Sequence, residues 1–177
     1  AFLTAHHSLV NLSNLKKGNN LLIHSASGAV GLAAIQLARS VGAKLFVTAG
    51  NPRKRTFLQA MGCHFVSDSR SERFAQEVLE ATNGHGVDVI LNTISADFMP
   101  ANLSILKPNT GTFVDIANLY NDSTLRLDFL NRGVSYHAFD LERILRTSKV
   151  FLTDTLKDIM EMFEHNILSP LPFRTYD

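Results

Sequence analysis

The stretch that decides the fold is Asn20-Leu-Leu-Ile-His-Ser-Ala-Ser-Gly-Ala-Val-Gly31, which continues as Leu-Ala-Ala-Ile-Gln-Leu-Ala38. Its first five residues, with three consecutive apolar side chains at their centre, predict a short buried β-strand. The part from Ala29 to about Val41 is apolar almost all round, which predicts a helix buried against a sheet. Gly42 follows where a left-handed C-terminal cap belongs. A strand joined to a buried helix through a glycine turn is the first unit of an α/β sheet.

Similar signals alternate along the rest of the chain. Apolar runs predict further strands at 44–48, 64–67, 87–91, 111–116 and 134–139. Periodic segments between them predict helices from Pro52 to Gly62 and over 72–82, 97–105 and 149–165, the last with Ile159, Met160 and Phe163 facing inward. We therefore predict a doubly wound, mainly parallel six-stranded sheet, the Rossmann fold, over residues 1–168.

The two ends of the chain indicate that it is a piece of a longer protein. Residue 1 lies within a segment that is already helical in pattern, and the tail 169–177 contains two prolines. We interpret that tail as a linker returning to a domain outside this sequence.

Composition excludes several classes of function. The chain has 177 residues, 45% hydrophobic and 19% charged, and its formal net charge is +1. So even a balance argues against nucleic acid or an anionic membrane as the main partner. The single cysteine, Cys63, cannot form an internal disulfide, no signal peptide opens the chain, and no apolar run is long enough to span a bilayer. We expect a cytoplasmic domain.

The turn after the first predicted strand matches most of a dinucleotide-binding fingerprint. Gly28 and Gly31 hold the second and third glycine positions, while Ala26 replaces the first. The first backbone N–H groups of the following helix would receive a diphosphate, because the helix dipole is positive there. We therefore predict a cofactor-binding segment that comprises Ser27, Gly28, Ala29, Val30 and Gly31. The alternative is a glycine turn that serves only helix–sheet packing.

The end of the second predicted strand indicates which nucleotide binds. NAD sites usually place an acid there to hold the ribose 2′-hydroxyl, but the segment 44–56 contains none. Three consecutive cations suit a 2′-phosphate instead, which favours NADPH over NADH. The predicted contacts are Thr48, Asn51, Arg53, Lys54 and Arg55. The alternative is a solvated basic first turn of a helix.

Three more residues are candidates because they lie just beyond strand ends. Asn92 and Thr93 follow the fourth predicted strand, where an amide and a hydroxyl could contact ribose and nicotinamide; a turn cap is the equal alternative. Arg70 lies beyond the third strand and is a candidate second phosphate contact. We assign no metal ligand. His6, His7, His24 and Cys63 are interpreted as structural, with one of the adjacent histidines facing solvent.

Several catalytic signatures are missing from the sequence. It contains no phosphate loop of the ATPase type, no His-Glu-x-x-His, no Gly-x-Ser-x-Gly and no Tyr-x-x-x-Lys. These absences argue against ATPases, zinc proteases, serine hydrolases of the elbow type and short-chain reductases.

Three segments together resemble the medium-chain dehydrogenase/reductases: Leu22–Ala38, Val87–Thr93 and Gly111–Ile116. Within that superfamily the chain is most similar to the enoyl reductase domains of polyketide and fatty acid synthases, and next to quinone oxidoreductases. The segments Phe2–Leu9 and Val134–Leu141 fit the synthase branch better. The likeness runs from about Phe2 to Leu171.

The resemblance implies NADPH-dependent reduction of an α,β-unsaturated acyl thioester held on an acyl carrier protein. It also implies a separate substrate domain, which this fragment lacks, so we expect the fragment alone to bind NADPH without appreciable turnover. In the superfamily the last strand often pairs across a two-fold axis, which makes a homodimer a hypothesis.

One departure from the family pattern leaves the catalytic residues unassigned. Synthase enoyl reductases generally carry a lysine, proposed to help protonate the product, where this chain has Asn118. A proposed acidic partner falls near Asp140 or Glu142. This departure favours one rival function, a nucleotide-binding module without catalysis. The other rival is a quinone oxidoreductase, which shares the nucleotide-binding half.

Overall fold

The computed structural model describes residues 1–117 and 132–173. Its centre is one six-stranded sheet in the order β3-β2-β1-β4-β5-β6, parallel throughout. The strands are β1 Asn20–Ile23, β2 Lys44–Thr48, β3 Phe65–Ser67, β4 Val89–Asn92, β5 Thr112–Asp115 and β6 Ser135–Ala138. This confirms the predicted Rossmann-type sheet.

Helices connect the strands and cover the sheet. They are α1 Phe2–His6, α2 Ala29–Val41, α3 Pro52–Ala60, α4 Arg73–Ala81, α5 Met99–Ile105, α6 Leu141–Thr147 and α7 Lys149–Glu164. A π-helical segment, His7–Leu12, continues α1, and a 3₁₀ turn, Ala96–Phe98, precedes α5.

Alternation along β1 divides the core into two layers. Leu21 and Ile23 belong to the larger buried cluster, which includes residues of α1, α2 and α7. Leu22 points to the other face, where it joins Phe74 of α4 and Leu103 of α5. Side chains alternate in this way because successive residues of a strand point to opposite faces. A strand buried on both faces must be apolar throughout, which is the pattern that the sequence shows.

One sequence-based prediction about the helices needs correction, and one helix was not predicted. Met160 is 54% exposed, whereas Ile159 is buried and Phe163 packs against the core. Positions 159 and 163 share one face of α7, and Met160 lies about 100° further round the helix. Helix α6 was not predicted; it begins after Asp140, whose carboxylate accepts hydrogen bonds from Glu142 N and Arg143 N.

The C-terminal segment is held against α2 for its first part. Ser169 N donates to Gln36 Oε1 at 2.7 Å, and Gln36 Nε2 donates to Ser169 O at 3.0 Å. Leu171 packs against the larger core cluster, whereas Phe173 is 82% exposed. The last four residues of the predicted linker 169–177 lie outside the described part of the chain, so the linker remains a prediction.

The strand order creates a crevice beside β1. The chain adds β2 and β3 on one side of β1 and then β4, β5 and β6 on the other. Ligands of doubly wound sheets bind outside the carboxyl ends of the strands where the order reverses in this way. The predicted site residues lie at or just after the carboxyl ends of β1, β2, β3 and β4, so the sheet brings them to the edge that borders this crevice.

Candidate nucleotide-binding site

The turn between β1 and α2 is held by three backbone features. Ser25 adopts a positive φ of 49°. Ala26 N donates to Thr48 O at 2.9 Å, and Gly28 N donates to Ser25 O at 2.9 Å. The turn is therefore tied to the end of β2, and it brings the start of α2 over the carboxyl end of the sheet.

Gly31 and Gly28 differ in what surrounds them. A Cβ on Gly31 would lie 2.5 Å from Ala26 Cα and Ala26 O, so the helix and the turn approach too closely for any side chain. This is the packing role that the third glycine of the fingerprint plays. A Cβ on Gly28 would meet only Ser25 O, at the ordinary distance of 3.4 Å. The protein itself therefore leaves space at Gly28.

The N-terminus of α2 is open to an anion. Within the described residues no side chain caps this end of the helix, and both Gly28 and Ala29 are exposed. The first N–H groups of a helix have no acceptor inside the helix, and the dipole makes them attractive to negative charge. Ser27 and Val30 are half-buried beside them. A diphosphate fits this cradle, and a small residue at 28 lets it approach.

The three consecutive cations after β2 differ in their contacts. Asn51 caps α3 by accepting a hydrogen bond from Lys54 N at 2.9 Å. Arg55 pairs with Asp68 at 3.0 Å and donates to Ala49 O at 3.1 Å, so its guanidinium already has partners. Arg53 and Lys54 are exposed. They are the cations of the run that the structure leaves open toward solvent.

Arg70 lies over the same strand end. A Cβ on Gly50 would be 3.0 Å from Arg70 Nε and 3.4 Å from Ser69 Oγ, which shows how closely this side chain passes Gly50. The turn that carries Arg70 is fixed because Arg70 N donates to Asp68 Oδ1 at 2.9 Å. The structure thus brings Arg70 to the residue that precedes Asn51. The sequence placed it only beyond β3.

A buried polar network lies beneath the crevice. His24 Nε2 is 2.7 Å from Asn102 Oδ1, and His24 Nδ1 is 3.0 Å from Thr48 Oγ1. Because the amide oxygen can only accept, Nε2 carries the proton and Thr48 donates to Nδ1. Burial lowers the pKa of His24 to about 4, although its hydrogen bond with Asn102 opposes this. His24 is therefore a neutral, hydrogen-bonded histidine, as predicted.

Thr48, which the sequence predicts as a cofactor contact, is a member of this buried network. Thr48 is completely buried. Its hydroxyl donates to His24 Nδ1, and its carbonyl oxygen accepts a hydrogen bond from Ala26 N. Its direct contact with a cofactor stays a prediction, and the interactions that the structure shows are internal ones.

Asn92 and Thr93 lie at the end of β4 beside the crevice, and both make internal hydrogen bonds. Thr93 Oγ1 donates to His24 O at 3.0 Å. Asn92 is 1% exposed, and its Nδ2 donates to Ile94 O and to Asp115 Oδ1, each at 3.1 Å. They cap the turn after β4, which is one of the two predicted roles; their contact with ribose or nicotinamide remains a prediction.

Asp115 and Tyr136 are neighbours of the site that the sequence reasoning missed. Tyr136 Oη donates to Asp115 Oδ2 at 3.0 Å, across β5 and β6. The available signal was a lone carboxylate near the end of an otherwise apolar strand segment, Gly111–Ile116. A buried carboxylate needs hydrogen-bond donors around it, and the sequence alone did not say which residues supply them.

The other histidines and the cysteine have structural surroundings. His6 is 4% exposed, whereas His7 is half-buried: its ring packs edge-on to Phe139 and Phe151, and its Nδ1 is 3.3 Å from Asn11 Nδ2 in an exposed contact, so His7 is the one of the pair that is partly open to solvent. Both faces of this helix have neighbours, the core on one side and the aromatic rings on the other. Cys63 is buried, as predicted, and burial raises the pKa of its thiol.

Two acidic residues considered for the proton-transfer step, Asp140 and Glu142, have other contacts in the structure. Asp140 caps α6, and Glu142 forms an ion pair with Arg146. Asn118, at the family lysine position, lies outside the described residues. Among the described residues, no group of three or more His, Cys, Asp or Glu could hold a metal ion. The predicted absence of a metal site stays a prediction.

Comparison with known proteins places this geometry in a family. The chain matches the family described as zinc-binding dehydrogenase over residues 29–163. It is 39% identical to phthioceranic/hydroxyphthioceranic acid synthase of Mycobacterium tuberculosis, over 99% of this chain but 8% of that protein. It is also 39% identical to the spectinabilin polyketide synthase system protein NorB of Streptomyces orinoci, with the same coverage. The chain therefore spans only a small part of the curated relatives it matches.

Solved structures of enoyl reductases are similar to this chain as well. The nucleotide-binding subdomain of the enoylreductase domain of PpsC from Mycobacterium tuberculosis is 37% identical, with a TM-score of 0.88 and coverage of 96% of both chains. The CurF ER cyclopropanase from the curacin A biosynthetic pathway is 37% identical, with a TM-score of 0.92; the match covers 99% of this chain and 52% of that one. In the described part of the chain, no helix is long and apolar enough to cross a membrane.

Proposed function

The chain belongs to the zinc-binding dehydrogenase family of the medium-chain dehydrogenase/reductase superfamily, in the branch of polyketide synthase enoyl reductases, and on this premise we propose that it is the NADPH-binding half of such a reductase. The reaction is the reduction of an α,β-unsaturated acyl thioester on an acyl carrier protein, in the cytoplasm. The cofactor, when bound, would supply the hydride for the β-carbon, and the product would be completed by a proton at the α-carbon.

One observation carries the proposal: the uncapped N-terminus of α2 lies at the reversal of strand order, and Gly28 leaves room in front of it. The protein does not need glycine at this position for its own packing. A ligand that brings its diphosphate against the backbone does need it. Ser27, Ala29 and Val30 would line the same cradle.

The choice of NADPH over NADH rests on charge at the end of β2. Arg53 and Lys54 are exposed there, Arg70 passes over Gly50, and the segment 44–56 carries no acid. A 2′-phosphate brings about two negative charges to this edge, which guanidinium and ammonium groups stabilise. Asn51 and Arg55 contribute by holding the loop, through the helix cap and the ion pair with Asp68.

The partners follow from the part of its relatives that the chain spans. It covers 52% of the CurF structure that it matches, so a second domain of the longer polypeptide would close over the nicotinamide. An acyl carrier protein would deliver the enoyl thioester. The edge strand β6 is the place for a second copy of the chain in a homodimer.

The experiment is a fluorescence titration of the 177-residue chain with NADPH, followed by an assay with a crotonyl thioester. We expect saturable NADPH binding and no appreciable oxidation of NADPH by the thioester. A chain that binds no NADPH would overturn the assignment of the site. Turnover at the rate of a complete enoyl reductase would contradict the requirement for a second domain.

Asn118 favours a second candidate, a nucleotide-binding module without catalysis, because an amide cannot donate a proton as an ammonium group does. The distinguishing assay uses the whole parent protein. Binding of NADPH without reduction of enoyl thioesters or quinones would support the module, and reduction of enoyl thioesters would support the main proposal.

A further inference from the structure

Asp115 is the centre of a hydrogen-bonded cluster that joins three strands. Its Oδ1 accepts from Asn92 Nδ2 at 3.1 Å and from Ala117 N at 3.0 Å, and its Oδ2 accepts from Tyr136 Oη of β6 at 3.0 Å. Asp115 is 1% exposed. The cluster lies at the carboxyl ends of β4 and β5, because Asn92 and Asp115 are register partners and each is the last residue of its strand.

Asn92 connects this cluster to the turn after β4 through hydrogen bonds. Its Nδ2 donates to Ile94 O at 3.1 Å, and its Oδ1 accepts from Ile94 N at 3.4 Å. The same Nδ2 donates to Asp115, which fixes which end of the amide faces the carboxylate. If the amide turned over, the turn would lose both contacts to Ile94.

The position of this turn decides what the cluster can affect. It follows β4, the strand beside β1 on the other side of the reversal of strand order, and Thr93 bonds to the carbonyl of His24 just after β1. In a doubly wound sheet the β1–β3 half takes the adenosine side of a dinucleotide, so the β4–β6 half faces the nicotinamide side. The cluster therefore lies directly behind the turn that borders the nicotinamide side of the crevice.

We propose that Asp115 and Tyr136 are positioning residues that hold Asn92, and through it the turn Thr93–Ser95, in the shape that receives the nicotinamide half of the cofactor. This rests on the proposed nucleotide-binding function. It assigns to the edge strand β6 a part in the site although β6 is not adjacent to the crevice.

Tyr136 offers a way to test the cluster with little damage. Its ring stacks on Phe113 with centroids 5.7 Å apart, so removal of the hydroxyl alone leaves this packing in place. Burial and the neighbouring Asp115 carboxylate raise the pKa of Tyr136, so its hydroxyl remains a donor at all pH values used for binding. Tyr136→Phe removes one donor from the carboxylate, and Asp115→Asn changes its acceptors.

The test compares NADPH with adenosine 2′,5′-bisphosphate, which lacks the nicotinamide half, by titration and by amide NMR of the 177-residue chain. In the wild type we expect the Thr93–Ser95 amide signals to shift with NADPH but not with the bisphosphate. In Tyr136→Phe we expect those shifts to shrink to about half or less and the Kd for NADPH to rise about three- to tenfold, as loss of one hydrogen bond implies. The Kd for the bisphosphate should not change.

Thr82→Val is the matched control. It removes another buried hydroxyl, which donates to Val78 O and accepts from Gly86 N in the connection that leads into β4, at the opposite end of that strand. It should lower stability while leaving both affinities and the Thr93–Ser95 shifts at the wild-type values.

Two results would overturn the inference and leave the proposed function standing. One is an unchanged NADPH response at Thr93–Ser95 in both Tyr136→Phe and Asp115→Asn. The other is a wild-type turn that responds no more to NADPH than to the bisphosphate. If the wild type binds neither compound, the proposed function fails and the inference fails with it.

Discussion

At the scale of single residues, two glycines of one loop separate a structural requirement from a functional one. A Cβ on Gly31 would overlap the backbone of Ala26, whereas a Cβ on Gly28 meets only an ordinary contact. The fingerprint already assigns close packing to its third glycine and approach of the cofactor to its second. The structure shows that packing requires a glycine at 31 and does not require one at 28.

Alanine at each position tests this difference. Gly28→Ala should leave the free energy of unfolding within about 0.5 kcal/mol of the wild type and weaken NADPH binding about tenfold or more, because the methyl group occupies the diphosphate cradle. Gly31→Ala should cost about 1–3 kcal/mol of stability through overpacking. Denaturant unfolding and a binding titration measure both; full NADPH affinity in Gly28→Ala would contradict the account.

Substitution of the cations at the end of β2 tests which cofactor this edge of the sheet binds. Lys54→Ala and Arg70→Ala should each weaken NADPH binding about tenfold while changing NADH binding by less than about twofold, because only NADPH carries the 2′-phosphate. Lys44→Ala is the matched control, since Lys44 is an exposed cation at the beginning of the same strand. Equal losses for the two cofactors would refute the assignment of this edge.

At the scale of secondary-structure elements, His24 ties β1 to β2 and to α5 through Thr48 and Asn102. Its pKa of about 4 in the folded protein lies below the ordinary 6.5. Between these values the unfolded chain binds the proton and the folded chain does not, so stability falls as the pH falls through that window. The loss attributable to His24 is about 3 kcal/mol.

Urea unfolding at several pH values measures this loss. His24→Asn should be less stable than the wild type at pH 7, yet it should lose less stability than the wild type between pH 7 and 4. His85→Asn removes an exposed imidazole and is the matched control. An identical pH dependence in wild type and His24→Asn would show that the buried imidazole does not titrate as described.

Elements with a strong pattern could be predicted from the sequence, and those fixed by distant contacts could not. The strand–turn–helix unit around Gly28 was predictable because its apolar residues and glycines follow local rules. Helix α6 was missed because it is short, and its clearest signal is a single capping aspartate. Arg55 was predicted as a phosphate ligand, and its pairing with Asp68 from beyond β3 could not be foreseen.

At the scale of the whole molecule, the sheet formed by the described residues ends at β3 on one side and at β6 on the other. Ser135 N bonds to Gly111 O on the β5 side, so by alternation the N–H group of Ala138 faces away from the sheet. An edge of this kind can pair with another strand. This is the physical basis for the homodimer hypothesis that the family resemblance suggested.

Light scattering tests that hypothesis. We expect a mass of twice 19.6 kDa for the wild type, and a shift toward 19.6 kDa for Ala138→Pro, because proline removes an outward N–H group. Binding of adenosine 2′,5′-bisphosphate should be unaffected, since the turn after β1 is remote from β6 in the strand order. A wild-type chain that stays at 19.6 kDa at high concentration would exclude this dimer.

The proposed site holds the diphosphate of NADPH on the first turn of α2 and the 2′-phosphate beside Arg53, Lys54 and Arg70. A crystal structure of the chain soaked with NADP⁺ would show both phosphate positions. We predict diphosphate density within hydrogen-bond distance of the N–H groups that begin α2, and the 2′-phosphate next to those cations. A cofactor bound elsewhere, or a 2′-phosphate that points into solvent away from them, would contradict the account.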